Sequence, residues 1–364
     1  MAISFKIIKI HGQQQKILGI VKVFGQKMAN LSKNKIRQCG EHIRQKEDFD
    51  SELLFLWRNA HLPMMAKMAT LIRKHLNEAH LKEEIVARRL KRFYSIFCKL
   101  QRFPNMKLNT MQDIAGIRVV FKNVKNVEKF SKIMSEKYQK NNRQFKYINQ
   151  KNYIENPKND GYRSIHQIFK YKNENDFKMF LELQIRTQLQ HYWATAVEVL
   201  GMKNDNKIKE GNGKTDEKEF FELSSALFSF VEGTAILNNY KNFSKTEIIE
   251  KIKNLNDKNK ILENLLKLLI SNKNIDDRTD DKDYYFIILI DLKKNKSRLF
   301  GFKKEDFLDA QKLYDFFEQE FQKTGEKDAV FISLDKHQLL KKAYPNYFLN
   351  GLEFIAQIKK ECKL

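Results

Sequence analysis

Asp113 stands in Met111-Gln-Asp-Ile-Ala-Gly-Ile-Arg-Val-Val120, and Glu182 in Phe180-Leu-Glu-Leu-Gln-Ile-Arg-Thr187. A carboxylate at the start of a strand, followed by small Ala115 and Gly116, lets a ligand and a hard cation come close. Arg118, further along the same strand, offers a planar guanidinium that stacks on a base or forks onto phosphate. Strand alternation puts Glu182, Gln184 and Arg186 on one face, with Leu181, Leu183 and Ile185 on the other. Burying a Glu–Gln–Arg face is costly, so such a face in a core strand suggests a task. If the two strands are neighbours, two carboxylates converge, the minimum for holding Mg²⁺ against phosphates. Plainer alternatives stay open: an Asp before a strand also serves as a turn or cap residue, and an edge strand also exposes one polar face.

Between the two carboxylates runs Lys151-Asn-Tyr-Ile-Glu-Asn-Pro-Lys-Asn-Asp-Gly-Tyr-Arg-Ser-Ile-His166. Pro157 and Gly161 bracket a turn-rich loop that enters a strand. Tyr162, Ser164 and His166 then alternate onto one face. Tyr153 and Tyr162 offer flat rings for base stacking, and Lys151, Lys158 and Arg163 offer phosphate contacts. Upstream, Arg88, Lys91, Ser95, Lys99 and Arg102 recur at steps of three and four. A solvated helix face usually mixes signs, whereas this stripe is basic throughout. Val86, Leu90, Phe93, Phe97 and Leu100 recur on another face, so the spacing predicts one helix over Glu84–Arg102.

The elements that must position these residues are read from periodicity, because only 13 Gly and 4 Pro punctuate 364 residues. Residues 30–103 read as helices. Strands are expected at Ile114–Phe121, Phe145–Asn149, Ser164–Tyr171 and Met179–Ile185, with helices at Val124–Gln139, Thr187–Leu200 and Phe220–Asn238. Lys203–Lys218 reads as a mobile loop. In the tail, Tyr284–Leu292, Lys296–Phe302 and Ala329–Leu334 read as strands, and Lys303–Gln322 and Lys336–Ala343 as helices. That ββαβα order makes a small separate α+β module.

Lys plus Arg number 68 against 45 Asp plus Glu, a formal charge of +23. That balance favours polyanionic partners, although a lysine-rich genome gives the same count. Cys39, Cys98 and Cys362 lie far apart, which excludes a disulfide framework and a cysteine zinc site and suits a reducing cytoplasm. No run approaches the roughly 20 apolar residues of a membrane helix, so no membrane partner is expected. The N-terminus is not a convincing signal peptide, and Met28 opens a second plausible start.

The ordered set Arg89-x-Lys91…Ser95…Lys99, Asp113-Ile-Ala-Gly-Ile-Arg118, Tyr153-Ile…Pro157-Lys…Gly161-Tyr-Arg-Ser-Ile-His166 and Glu182-Leu-Gln-Ile-Arg-Thr187 resembles the RelA/SpoT synthetase domain. Residues 41–80 and Leu189-Gln-His-Tyr-Trp-Ala-Thr-Ala-Val-Glu198 also look like the synthetase-only members. The resemblance implies an α+β, nucleotidyltransferase-like fold: a mixed five-stranded sheet flanked by helices. It implies transfer of pyrophosphate from ATP to a ribose 3′-hydroxyl with Mg²⁺. Under it, Arg89, Lys91, Ser95 and Lys99 match the donor triphosphate contacts, and Arg118 matches the arginine that packs on adenine. Asp113 and Glu182 match the metal-holding carboxylates, with Glu182 also drawing the proton of the attacking hydroxyl. Tyr162 matches the aromatic that stacks on the acceptor base; Lys151, Lys158 and His166 lie on that side, and Gln184 and Arg186 shape the site. Asn152 departs from the Asp found in many members. No His-Asp dipeptide occurs, so no hydrolase domain is expected.

Two acceptors fit the resemblance: the 3′ end of tRNA, or GDP/GTP in alarmone synthesis. A third reading is a catalytically silent RNA-binding sensor with the same fold. Tyr344 and Tyr347, in Ala343-Tyr-Pro-Asn-Tyr-Phe348, look like the neutralising tail of fused toxin–antitoxin synthetases used in phage defence, which would make the chain's own C-terminal domain a partner and a phage or other protein its trigger. The expected organisation is a dispensable extension over 1–27, the synthetase domain over 28–240, a helical connector over 241–282 and a small neutralising domain over 283–364.

Overall fold

The computed structural model describes residues 31–139, 144–172, 178–203, 215–271, 275–280, 282–291, 296–324, 327–333 and 352–364. The expected extension over 1–27, the loop residues 204–214, the helix Lys336–Ala343 and both Tyr344 and Tyr347 lie outside these described residues.

The described residues open with three helices, α1 (Lys33–Gln45), α2 (Ser51–Asn59) and α3 (His61–Glu78). The Asp50 side chain accepts the Leu53 N–H and starts α2; such a cap satisfies one of the donors a helix start leaves open. Ile36 and Ile43 of α1, Leu54 and Trp57 of α2, and Met64, Met68 and Ile72 of α3 bury their apolar stripes in one core.

The helix expected over Glu84–Arg102 is two elements, β1 (Ile85–Leu90) and α4 (Phe93–Arg102). Arg92 breaks them apart with extended backbone, φ −63° and ψ 148°. The apolar spacing misleads because β1 is covered on both faces. Ile85, Val86, Ala87 and Arg88 are all buried in succession, a pattern that mimics helical periodicity once Phe93, Phe97 and Leu100 follow.

The next elements are β2 (Ala115–Phe121), α5 (Val124–Lys137), β3 (Phe145–Asn152), β4 (Ile165–Lys172) and β5 (Lys178–Thr187). They agree with the expected strands to within a few residues. β3-β4-β5-β2-β1 forms the expected five-stranded mixed sheet, with β2 parallel to β5 and the other neighbours antiparallel.

Beyond β5 come α6 (Gln188–Lys203), α7 (Thr215–Glu232), α8 (Lys245–Asn259) and α9 (Ile261–Ser271). The tail supplies β6 (Ile275–Arg278), β7 (Tyr285–Asp291), β8 (Lys296–Phe302), α10 (Phe307–Thr324), β9 (Lys327–Ser333) and α11 (Leu352–Cys362). β6 was not anticipated from the sequence. The sheet does not end at β1: Arg88 and Arg89 pair with Ser333 and Ile332 of β9, and among the described residues the order continues β9-β7-β8-β6 to nine strands. α11 returns to the helical layer, where Phe354 stacks on Phe221 at 5.4 Å and meets Phe228 edge-on at 5.9 Å. Among the described residues, no helix is long and apolar enough to cross a membrane.

Gly161 fastens the 153–162 loop to α6 and α7. Its φ of +93° lies in the left-handed region, and an added Cβ would come within 2.9 Å of the Ser225 Cβ and 3.0 Å of the Trp193 ring. Gly161→Ala therefore meets both backbone strain and a collision, and is expected to lower stability by about 1–3 kcal/mol. A shifted denaturant midpoint at unchanged slope measures this; an unchanged midpoint would refute it.

Candidate active site

Strand register assembles the site. Arg89 of β1 lies opposite Gly116 of β2, which lies opposite Glu182 of β5. Two residues along, on the same face, Ala87, Arg118, Gln184, His166 and Lys151 form a row across all five strands. Gly116 leaves the middle of the first row bare: a Cβ there would touch only the Arg89 carbonyl, at 3.7 Å. Over it sits a cavity of about 80 Å³ bordered by Arg89, Lys91, Asp113, Arg118, Glu182 and Gln184. The parallel pairing of β2 and β5 thus brings the two sequence-distant carboxylates to one small space.

Asp113 occupies the turn before β2. Lys91 Nζ donates to its Oδ2 at 3.0 Å and Lys99 Nζ at 2.7 Å, while Oδ1 is buried with no hydrogen-bond partner. Burial raises the Asp113 pKa, but the two ammonium groups outweigh it and hold the carboxyl below its usual range. Burial and the neighbouring Lys99 press the Lys91 ammonium downward, and Asp113 only partly restores it. Glu182 has its own cation. His166 Nδ1 shares a 2.8 Å hydrogen bond with Oε1, and Gln184 Nε2 donates to Oε2 at 2.8 Å. Burial opposes ionisation of Glu182, yet His166 brings it down to about 2. Burial likewise opposes the imidazolium, but Tyr162 and Glu182 lift His166 to about 9.

The 820 Å³ cavity beside this space is bordered by Arg102, Arg118, Lys158, Tyr162, Trp193 and Phe221 among others. The Tyr162 hydroxyl is 2.8 Å from His166 Nε2. Tyr153 packs edge-on to both, with ring centroids 6.0 Å from Tyr162 and 5.3 Å from His166. Lys158 Nζ lies 4.7 Å above the Tyr153 ring and 4.9 Å above the Tyr162 ring. Exposed Lys151 stands opposite His166 on β3.

Some expected site residues take other roles. Arg163, read as a phosphate contact, is buried and donates to Ser225 Oγ at 2.9 Å and the Ala235 carbonyl at 2.6 Å; it ties the loop to α7 and the segment after it. Arg88 points to the other face of β1, where it donates to the Tyr284 hydroxyl. Ser95 sits on α4 one turn before Lys99 and lines neither cavity. Arg186 lines the larger cavity but is buried against His191 Nδ1, and burial together with Arg118 lowers its pKa to about 9. Trp193, Glu198, Lys218 and Phe221 also line that cavity. The first two belong to the Leu189–Glu198 segment singled out above without a role. Lys218 was expected in a mobile loop, but Thr215–Lys218 form the first turn of α7, and Phe221 carried no sequence signal beyond a helical apolar pattern.

The donor set suits a hard divalent cation. Asp113 presents an unengaged buried oxygen beside a second carboxylate. Among the described residues, no cluster of three or more His, Cys, Asp or Glu could enclose an ion alone. Remaining ligands would come from water and phosphate, the arrangement Mg²⁺ prefers.

Residues 88–208 match the family model described as "Region found in RelA / SpoT proteins". The chain is 31% identical over 136 residues to "GTP pyrophosphokinase YjbM" of Bacillus subtilis, covering 36% of this chain and 62% of that protein. To "GTP pyrophosphokinase YwaC" of the same organism it is 28% identical over 193 residues, covering 50% and 87%. The chain thus spans less than two thirds of YjbM, and only 16% of a 3′-pyrophosphohydrolase from Borreliella burgdorferi that it matches at 34% identity. Among solved structures, small alarmone synthetase 1 from Bacillus subtilis bound to its product pppGpp matches at 27% identity and a TM-score of 0.40, over 49% of this chain and 89% of that one. These similarities agree with the resemblance read from the motifs: residues 88–208 match the RelA/SpoT region, and the relatives include small alarmone synthetases.

The His166–Glu182 pair sets a pH window for the metal-free protein. The raised imidazole stabilises fully below 6.5 and loses its contribution as pH climbs through about 9. The depressed carboxylate stabilises above 4.5 and loses its contribution as pH falls toward about 2. The difference in unfolding free energy between wild type and His166→Gln should therefore be greatest between 4.5 and 6.5 and shrink on both sides. A flat difference from pH 5 to 10 in denaturant titrations would contradict the pairing.

Proposed function

We propose that the chain transfers pyrophosphate from ATP to a ribose 3′-hydroxyl and releases AMP. The observation that carries this is Asp113, whose buried Oδ1 is unengaged in one small cavity with Lys91 and Glu182, while Lys99 also donates to its Oδ2. Mg²⁺, held by Asp113 and Glu182, would neutralise phosphate charge there. Arg89, Lys91 and Lys99 bind the triphosphate, with Ser95 as an expected further contact. Arg118 and Arg89 flank the adenine, and Tyr162 stacks the acceptor base with Lys151, Lys158 and His166 on its side.

The acceptor 3′-oxygen attacks the β-phosphorus. The new O–P bond forms as the bridge to the α-phosphate breaks, and AMP carries away the bridging oxygen. Glu182 accepts the hydrogen bond of the attacking hydroxyl and takes its proton. With a pKa near 2 it is a weak base, so the proton leaves late, once bonding to phosphorus has acidified the hydroxyl. Charge accumulates on phosphoryl oxygens, and the fixed cations supply most of the acceleration by electrostatics and positioning.

The acceptor we favour is the 3′ end of tRNA. A chain charge of +23, exposed Lys151 and an exposed Lys158 bordering the wide cavity suit a polyanion better than a small nucleotide. The names of YjbM and YwaC favour the second reading, GDP or GTP as acceptor. We further propose that the tail bearing Tyr344 and Tyr347 restrains the enzyme as a fused antitoxin until a protein trigger, such as one from a phage, engages it.

Labelled ATP incubated with GDP, GTP or deacylated tRNA separates these acceptors, and transfer to none would leave the silent RNA-binding reading. Asp113→Ala should abolish transfer, and Lys91→Ala should cost about 2.7–4 kcal/mol of activation free energy; near-normal turnover in Asp113→Ala would end the assignment. For the tail, Tyr344→Ala with Tyr347→Ala in the full chain should halt growth on expression, and harmless expression of this active double variant would contradict restraint.

A further inference from the structure

A buried arginine lies where the tail meets the site. Arg58 of α2 is 0% exposed. Its Nε donates to the Lys91 carbonyl at 2.6 Å, and its guanidinium donates to the Tyr314 hydroxyl at 2.5 Å. The guanidinium carbon is 4.7 Å from the Phe93 ring centroid and 4.8 Å from that of Tyr314. The Tyr314 hydroxyl in turn donates to Glu318, also on α10 and buried. A desolvated guanidinium is thus supplied with two aromatic faces, a hydroxyl and a carboxylate one step beyond. All of these except Phe93 belong to the tail helix.

Lys91 is the point of contact with the chemistry. Its N–H donates to the Ile114 carbonyl, next to Asp113, at 2.8 Å. Its carbonyl is held by Arg58, and its ammonium grips Asp113. Lys91 is therefore pinned between β2 and the guanidinium that α10 encloses. A second junction contact joins Arg88 of β1 to the Tyr284 hydroxyl and ring.

We propose that Arg58 is a positioning residue for the donor side of the site, coupling the docked tail helix α10 to Lys91 through Tyr314. Burying a charge is costly unless partners compensate. Loosening α10 removes those partners together, and the Arg58–Lys91 bond then loses its fixed geometry. Acceptor-side Tyr162, His166 and Lys158 lie on β4 and the loop before it, three strands from β1. Occupancy of the tail interface thus tunes the grip on ATP phosphates and leaves the grip on the acceptor alone. This rests on the donor role proposed for Lys91 above.

The test uses full-length Tyr314→Leu and Tyr314→Phe, with Tyr284→Phe as the junction control. Tyr314→Leu should raise the KM for ATP about tenfold, and Tyr314→Phe by less, since its ring keeps the cation–π contact. The KM for the acceptor should stay within about twofold, the signature of a one-sided defect. Tyr284→Phe should lower the melting temperature without moving either KM. Equal KM values for ATP in wild type and folded Tyr314→Leu, or ATP and acceptor KM values rising together, would overturn the inference. Should Tyr314→Leu fail to fold, Tyr314→Phe decides by the same two constants. Wild type inactive with every acceptor would refute the pyrophosphate reading instead. Calorimetric affinity for a non-hydrolysable ATP analogue then makes the same comparison: weaker binding in the Tyr314 variants upholds the coupling, and equal binding refutes it.

Discussion

Two carboxylates that repel each other share one edge of a small cavity, and each is kept ionised by cations of its own. Lys91 and Lys99 hold Asp113; His166 holds Glu182. Separate neutralisation is what lets like charges stay close in a desolvated place. The rest of the architecture serves that balance. β2 and β5 run parallel so that Gly116 and Glu182 align, α4 carries Lys99 back over the start of β2, and β4 lays His166 beside Gln184. Moving any one of these elements by a residue would leave a buried charge without its partner.

The two cavities share Arg89, Arg118 and Gln184 along a common border. A ligand phosphate in the smaller space and a base in the larger one would meet there. The smaller is walled by ammonium and carboxylate groups. The larger has aromatic walls, Tyr162 backed by Tyr153 and Trp193. That division of polarity sets a charged wall against a wall of rings, with Arg89, Arg118 and Gln184 at the boundary.

The carboxylates, the Arg118 strand and the Tyr162–His166 face were legible in the sequence because strand alternation is strict and the polar residues break it conspicuously. β1 was misread because both of its faces are covered. Arg88 and Arg163 were misassigned because sequence shows a charge but not which way it points. Arg163 serves Ser225, and Arg88 serves Tyr284, both far along the chain. Arg58 lies in the 41–80 segment that looks like the synthetase-only members, but no role could be read for it there: one arginine on an apolar helix looks like a surface residue until Tyr314 encloses it. Trp193 and Phe221 were invisible as wall residues for a similar reason. Aromatics on amphipathic helices look like core, and these belong to both.

The pairing of β9 with β1 has a consequence for how the molecule comes into being. During synthesis the N-terminal strands emerge first, and β1 then presents an open row of amide and carbonyl groups. Its partner is translated only near the end, across one of the longest sequence separations in the chain. Loop closure over such a distance is entropically slow. The nascent protein therefore spends an interval with one edge of β1 bare, when a chaperone, or the wrong strand, could sit where Ile332 belongs.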